Sequence, residues 1–236
     1  MRIVAKEAMK RKTNTPEKFR FRHAIKRGLA VAGFSILPVF VAAGQTPPEI
    51  TPPPGNVLFL TAHATGTQDY ICLPSTDGDS NTWVFFSPQA TLSIALFDHL
   101  SQQAVTHFLS PIPNPTSLPA PGCTLSTETN EVSCPTWQSS VDSSAVWGGK
   151  VGSINAGTDA SCPNNGSIPC LLLSAVATRK GQLNPGILEK ATFIQRLNTN
   201  GGSAPTASCK AGDQALVPYS ADYSFYTTDH EDSHQK

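Results

Sequence analysis

The chain has 236 residues, 14% of them charged and 39% hydrophobic, which is enough for one globular domain with a sizeable core. Its formal net charge is zero, but ten of the 17 Lys and Arg residues and two of the 17 Asp and Glu residues lie in residues 1–44. Residues 45–236 therefore carry seven basic and fifteen acidic residues. Since phosphate binding needs clustered Lys and Arg, this acidic body argues against a nucleic-acid partner.

The N-terminal segment has the three parts of a secretory signal. Residues 28–43 are apolar and uncharged, a basic stretch precedes them, and a Pro-rich stretch follows. This order predicts export, with cleavage after Ala43 or Gly44. The alternative is an uncleaved anchor, but the apolar run is short for a bilayer span of roughly 20 residues, and Pro38 interrupts it.

We therefore divide the chain into four parts. Residues 1–44 are a signal peptide with a long basic n-region, and residues 45–55 are a Pro-rich linker that we expect to be extended. Residues 56–228 form a single β domain, and residues 229–236 form a disordered tail. The signal predicts a secreted, periplasmic or cell-envelope location, with membrane contact only through the signal segment if it stays uncleaved.

All six cysteines lie in the domain, and an even number in an exported chain is typical of a disulfide framework. Six cysteines allow fifteen connectivities. The preferred pairing is Cys72–Cys209, Cys123–Cys134 and Cys162–Cys170. The last two would close short loops rich in Pro, Ser, Thr and Asn, each contributing roughly 3 kcal/mol. The alternative is that some of the six are free buried thiols.

The domain shows a pattern of short strands separated by turn clusters. Residues 111–122 contain too many prolines for a sheet interior and are expected to form a loop. Residues 89–103 are the one stretch of the domain that could contain a helix. The regular spacing favours an all-β fold, an antiparallel barrel or sandwich with long Pro/Ser-rich loops. In chain order, the expected strands are residues 56–60, 66–73, 83–88, 90–97, 104–110, 135–140, 144–151, 168–177, 190–199 and 215–226.

Familiar catalytic and cofactor motifs fail on inspection. HEDSH at residues 230–234 matches the zincin pattern, but only two printed residues follow it and no third ligand is present, so we expect a solvated tail and no metal site. GGSAP at residues 201–205 lacks the last glycine of a serine-hydrolase elbow. No G-x-G-x-x-G opens a helix, so we expect no nicotinamide cofactor and no other cofactor.

Polar and aromatic residues within the apolar strands are the candidates for a site. In a strand, Arg196 shares one face with Ile194, while Gln195 lies on the other. A buried Arg196 needs a partner such as Asp142 or Asp222, or else it binds an anion. His107 is either an acid/base group or a hydrogen-bonded core residue. The candidates for ligand binding are Gln68, Tyr70, His107, Trp137, Gln195, Arg196 and Tyr219.

Seven sequence blocks occur in the order seen in one uncharacterised family. They are GTQDYIC, WVFFSPQATL, THFLSP, PTWQSSVDSSAVWG, IPCLLL, FIQRLNTNGGSAP followed by a cysteine, and VPYSADYSFY. Over about residues 55–228 the chain resembles the family known as domain of unknown function family 3455, found in bacterial and fungal secreted proteins. The family usually has Trp where this chain has Cys170, which supports an additional bridge to Cys162. The first and last cysteines match family positions, which supports Cys72–Cys209.

The resemblance brings no established activity. Fungal relatives often carry the label "malate dehydrogenase", but this sequence has neither a dinucleotide fingerprint nor an alternating helix pattern to support it. We therefore do not expect an NAD-dependent malate dehydrogenase.

Three functional hypotheses remain. The first is a secreted or envelope-associated β protein that binds a small molecule or glycan in an aromatic and polar cleft. The second is a secreted enzyme, with a hydrolase as the candidate class, that uses His107 with Asp142 or Asp222. The third is a structural domain without a ligand. Catalysis needs the acid/base groups within hydrogen-bond reach in one pocket, so geometry separates these hypotheses.

Overall fold

A computed structural model describes residues 46–75, 78, 80–97, 100–113, 120–126 and 131–229. The expected signal peptide, its cleavage at Ala43 or Gly44, and the HEDSH tail lie outside the described residues. The described strands are β1 Asn56–Pro74, β2 Asn81–Phe97, β3 Leu100–Pro111, β4 Thr124–Leu125, β5 Val132–Ser139, β6 Ala145–Ile154, β7 Cys170–Arg179, β8 Phe193–Gly201 and β9 Gln214–Thr228.

Eight of these strands close into an antiparallel barrel. The hydrogen-bonded order is β3-β2-β1-β9-β8-β7-β6-β5, and a pairing between β3 and β5 closes the ring. The short β4 pairs with β5 outside this ring. Closure gives the backbone of each ring strand a hydrogen-bonded neighbour on both sides. The all-β prediction is confirmed, and of the two expected architectures the structure has the barrel.

Long strands replace several short ones expected from the sequence. The runs at residues 56–60 and 66–73 are both parts of β1, and those at 83–88 and 90–97 are both parts of β2. The register of β1 shifts between Asp69 and Tyr70 where it pairs with β2, and such irregularities let a long strand bend around a barrel. Turn signals in the sequence marked loops, but they did not reveal where a strand bends without ending.

The possible helix at residues 89–103 is wrong, because the described residues of this stretch belong to β2 and β3. Pro88, Ala90 and Leu92 are buried while Gln89 and Thr91 are exposed, which is the period of two expected of a strand. In the part of the chain that the structure describes, no helix is long and apolar enough to cross a membrane.

The barrel interior is filled by small and aromatic side chains. Four aliphatic side chains of the interior are fully buried, and they reduce the volume left for the aromatic rings. They are Ala64, Ala221, Leu92 and Ile194. The aromatic residues then pack against one another: the ring of Trp137 lies 5.7 Å from that of Tyr223 and 6.3 Å from that of Phe225. This packing fills one part of the interior and leaves space toward one end.

A segment before β1 packs on the outside of the barrel. Pro48–Ile50 form a 3₁₀ turn, and Ile50 is fully buried in a second apolar cluster with Leu172 and the Cys162–Cys170 bridge. Gln195 donates a hydrogen bond from Nε2 to the Ile50 carbonyl oxygen at 2.6 Å. The stretch expected to be an extended linker thus contributes to the packed structure.

The six cysteines form the three bridges preferred from the sequence: Cys72–Cys209, Cys123–Cys134 and Cys162–Cys170. Cys72 lies near the end of β1, so the first bridge holds the segment before β9 against that strand. The second ties the segment before β4 to β5, and the third ties the loop after β6 to the start of β7. The bridges therefore restrain connections between strands at three places.

Candidate functional site

A cavity of about 290 Å³ opens at one end of the barrel. The end is defined by the last part of β1 and the first parts of β2, β5 and β7, which antiparallel pairing brings together. Most of the wall is apolar, and the polar residues on it are few. The lining residues are Gln68, Tyr70, Phe85, Pro88, His107, Gly122, Pro135, Trp137, Lys150, Ile168, Pro169, Leu171, Leu173, Arg196 and Tyr223.

Arg196 is the buried charge of this cavity. It lies on β8 between Leu171 of β7 and Tyr223 of β9 in the sheet register, and its side chain faces the interior. Only 8% of the residue is exposed, and its Nη2 donates to the Pro169 carbonyl oxygen at 2.8 Å. Within the described residues, no carboxylate lies within ion-pair distance of the guanidinium. Its charge is thus not neutralised by that part of the protein.

The carboxylates that we expected to neutralise Arg196 make other contacts, so that expectation is wrong. Asp222 faces outward from β9, where its Oδ1 lies 2.8 Å from His63 Nδ1 and its Oδ2 accepts from Asn198. It points outward because its neighbour Tyr223 points inward, and successive residues of a strand alternate.

Asp142 holds together the turn between β5 and β6. Its Oδ1 accepts hydrogen bonds from the backbone N–H and hydroxyl of Ser144, and its Oδ2 accepts from the Ile187 N–H at 2.8 Å. Although burial raises its pKa, these hydrogen bonds together lower it. Asp142 is therefore an ionised structural residue, and its hydrogen-bonding partners among the described residues belong to the end of β5, this turn and the loop that follows β7.

His107 lies deep in the cavity wall as a neutral side chain. It is 2% exposed, and its ring stacks on Trp137 with centroids 4.2 Å apart and an angle of 6°. Burial lowers its pKa to about 3, with the positive charge of Arg196 acting in the same direction and the hydrogen bond to Thr136 opposing it. Nδ1 donates to the Thr136 carbonyl oxygen at 2.9 Å, which leaves Nε2 as the unprotonated nitrogen.

Three buried N–H donors on the cavity lining lack an acceptor within the described residues. They are Gln68 Nε2, Trp137 Nε1 and Arg196 Nε. Gln68 is 3% exposed and Trp137 1% exposed. Native proteins pair nearly all such groups, because a buried donor without an acceptor costs about 1–3 kcal/mol. Three of them on one cavity make this cavity the candidate site.

Tyrosine hydroxyl groups lie on the wall, at Tyr70 and Tyr223, and just behind it, at Tyr219. Tyr70 donates to the Gly202 carbonyl oxygen at 2.7 Å. Burial raises the pKa of Tyr219, and the nearby Tyr223 hydroxyl, 3.4 Å away, adds to that effect. Gly202 has a φ of +82°, and a Cβ there would crowd Tyr219 and Gln68 at about 3 Å. Glycine at this position therefore allows both side chains to take their places.

Five of the seven predicted binding residues line the cavity, namely Gln68, Tyr70, His107, Trp137 and Arg196. Tyr219 lies just behind the lining, next to Tyr223. Gln195 does not belong to the site, because it faces the outside of the barrel and holds Ile50 and Tyr226.

Sequence reasoning missed Lys150 and Tyr223. Lys150 lies in β6 on the same face as Val146 and Gly148. Because side chains alternate along a strand, counting in twos from Val146 would have placed the Lys150 side chain on the inward face. For Tyr223, nothing in the sequence indicates its position beside Arg196. Among the described residues, no group of three or more His, Cys, Asp or Glu side chains is placed to hold a metal ion.

Comparison with known proteins gives a family but no activity. The family DUF3455, described as a protein of unknown function, matches residues 53–227, which include β1 to β9 almost entirely. No curated protein and no solved structure matches the chain. The match covers the barrel except for Thr228 at the end of β9, and it includes every described residue that lines the cavity, so the chain belongs to the DUF3455 family.

Proposed function

We propose that this protein binds one small molecule in the cavity at the end of its barrel. The observation that carries the proposal is the set of three buried N–H donors without an acceptor, on Gln68, Trp137 and Arg196. A barrel serving only as a scaffold would gain stability from apolar side chains at these positions. Because unpaired donors at these three positions lower the stability of the protein, their presence supports a role in which a bound molecule supplies the missing hydrogen-bond acceptors.

The shape of the cavity supports a compact ligand. Its volume of about 290 Å³ is at the small end of the range for ligand pockets, roughly 300–1,000 Å³. Apolar walls with a few convergent polar groups are the usual composition of such pockets. Of the two ligand classes expected from the sequence, this favours a small molecule over an extended glycan.

The hydrolase alternative has less support. Its base would be His107, but that ring is already engaged with Thr136 and Trp137, and its pKa of about 3 makes it a poor proton acceptor near neutral pH. Its carboxylates, Asp142 and Asp222, bond to other groups. Binding without chemistry is therefore the function that we propose.

The location that fits this function is outside the cytoplasm. Three disulfides in a β fold are consistent with an oxidising compartment. Together with the expected signal peptide, they support secretion or retention in the cell envelope.

Thermal-shift screening of the full oxidised chain against small molecules tests the proposal, since a ligand of the native state raises the unfolding temperature. Leu171→Trp places a large side chain in the cavity wall, whereas Leu216→Trp makes the same change at a 64% exposed position. We expect hits that stabilise the wild type and Leu216→Trp but not Leu171→Trp. A screen without hits, or hits that Leu171→Trp still binds, would refute the proposal.

A further inference from the structure

We infer that the ligand is an organic carboxylate, whose charged group lies at Arg196 and whose apolar body lies against the wall near the opening. This inference rests on the proposed function and specifies its ligand class. It is carried by the charge of the cavity, the kind of hydrogen-bonding groups on its wall, and the depth at which each group lies.

The charge of the cavity is positive and uncompensated. Among the described residues, the charged members of its lining are Arg196 and Lys150, and no Asp or Glu is one of them. Arg196 is more than nine-tenths buried, and burying an ion without a counter-charge costs several kcal/mol even after the protein relaxes. Because no described carboxylate pairs with it, a bound anion is the partner that removes this cost.

The unpaired groups also point to an anion, because all three are donors. Gln68 Nε2, Trp137 Nε1 and Arg196 Nε each offer an N–H, and each is buried. A carboxylate has two oxygens with about four acceptor sites and no donor of its own, so it matches this set. The planar guanidinium favours carboxylates and phosphates through charge-assisted hydrogen bonds, which are stronger than neutral ones.

The walls distinguish an organic acid from a small inorganic anion. The three residues with unpaired donors are buried: Gln68, Trp137 and Arg196 are at most 8% exposed, as are the apolar lining residues Ile168 and Leu173. Apolar residues nearer to solvent complete the wall, among them Phe85, which is 42% exposed, and Leu171. A ligand that uses both parts has a carboxylate at its inner end and an aromatic ring or short alkyl chain at its outer end.

Lys150 has a different part in this arrangement. It is exposed at the rim of the cavity, where its ammonium group is hydrated and mobile compared with the buried guanidinium. An exposed cation beside an opening attracts anions from solution and raises their rate of entry. We therefore assign recognition to Arg196 and attraction of the ligand to Lys150.

The test compares acids with neutral molecules of the same shape. Benzoate and octanoate are titrated into the full oxidised chain beside benzamide and octanamide, at constant ionic strength, and binding is measured by calorimetry and thermal shift. Inorganic phosphate is a separate arm that detects binding of charge alone. We expect at least one carboxylate to bind about tenfold or more tightly than its amide, since a hydrogen bond to a charged group is worth that factor.

Variants then locate the charged group. Arg196→Met should weaken binding of the acid more than binding of the amide and so remove the preference for the acid, while Arg196→Lys should retain part of that preference. Arg179→Gln is the matched control, because Arg179 is an exposed arginine on the adjacent β7 that donates to the Ser143 carbonyl oxygen. Its acid preference should equal that of the wild type.

The outcomes separate this inference from the function on which it rests. Equal affinity for acids and amides, an undiminished acid preference in Arg196→Met, or tightest binding by phosphate would overturn the carboxylate assignment. Binding of only neutral compounds, in a manner that Leu171→Trp abolishes, would also overturn it and leave the small-molecule function intact. Absence of all binding would overturn both.

Discussion

Mild acid should destabilise the barrel through His107. Burial holds the pKa of this side chain at about 3 in the native state, while in the unfolded chain it returns to about 6.5. Between these values the unfolded chain binds a proton that the native barrel does not bind. The free energy of unfolding therefore decreases as the pH is lowered below about 6.5.

The size of the effect follows from the two pKa values. From about pH 6 to about pH 4, the difference in proton binding lowers the free energy of unfolding by about 2.5 kcal/mol. This is a large share of the 5–15 kcal/mol that is typical of native domains, so it is measurable. Asp142, whose pKa is lowered in the native state, contributes its own loss only below about pH 4, where unfolded carboxylates are protonated.

Urea unfolding of the full oxidised chain at several pH values, followed by tryptophan fluorescence, measures this dependence. His107→Gln removes the titrating group and should flatten the profile between about pH 6 and pH 4. His63→Gln is the matched control, because the His63 side chain is 60% exposed, and it should follow the wild type. If His107→Gln loses stability as steeply as the wild type, the buried neutral imidazole is not the cause.

Three further predictions concern the cavity and its supports. Arg196→Met should raise the free energy of unfolding of the unliganded protein by about 1 kcal/mol or more, because it replaces an uncompensated buried charge; a lower urea midpoint would contradict this. Gln195→Leu should lower stability by about 1–3 kcal/mol, since it leaves the Ile50 carbonyl oxygen without its donor, yet ligand affinity in calorimetry should not change. Gly66→Ala should lower the free energy of unfolding by at least about 3 kcal/mol, because the added Cβ would overlap the backbone of β2. Gly55→Ala, the control, lies in open space at a φ of +85° and should lower it by only about 1 kcal/mol. Equal urea midpoints for the two variants would show that β1 and β2 can move apart at no cost in stability.

The Arg196 prediction links stability to function. If the residue served the fold, removing it would destabilise the empty barrel. A variant that is more stable and no longer prefers acids would show that the native protein keeps a destabilising charge for the sake of its ligand.

Much of the fold was predictable because strand signals are local. Alternation along the chain placed Arg196 with Ile194 on one face and Gln195 on the other, and the structure has Arg196 inside the barrel and Gln195 outside it. The error at residues 89–103 arose where Ala and Leu, which favour helices, occupy alternating strand positions. In that stretch, pairing with β1 and β3 outweighs local propensity.

Several residues of the site were predictable from the sequence, but the absence of a carboxylate partner for Arg196 among the described residues was not. Gln68, Trp137 and Arg196 were candidates because polar or large aromatic residues stood within apolar strands. The carboxylate partners proposed for Arg196 were wrong, because the direction of Asp222 and the turn around Asp142 depend on which strands are neighbours. That information is absent from a single sequence.

The sequence alone determined the class of the fold and the opposite directions of Arg196 and Gln195, because both depend on spacing and alternation over a few residues. Only the tertiary structure decided that β3 pairs with β5, that the sheet closes, and that residues far apart in the chain line one cavity. Closure depends on register between distant strands, and a shift of one residue would turn each inward side chain outward. The positively charged cavity therefore exists only in the closed barrel, although the residues that line it can all be found in the sequence.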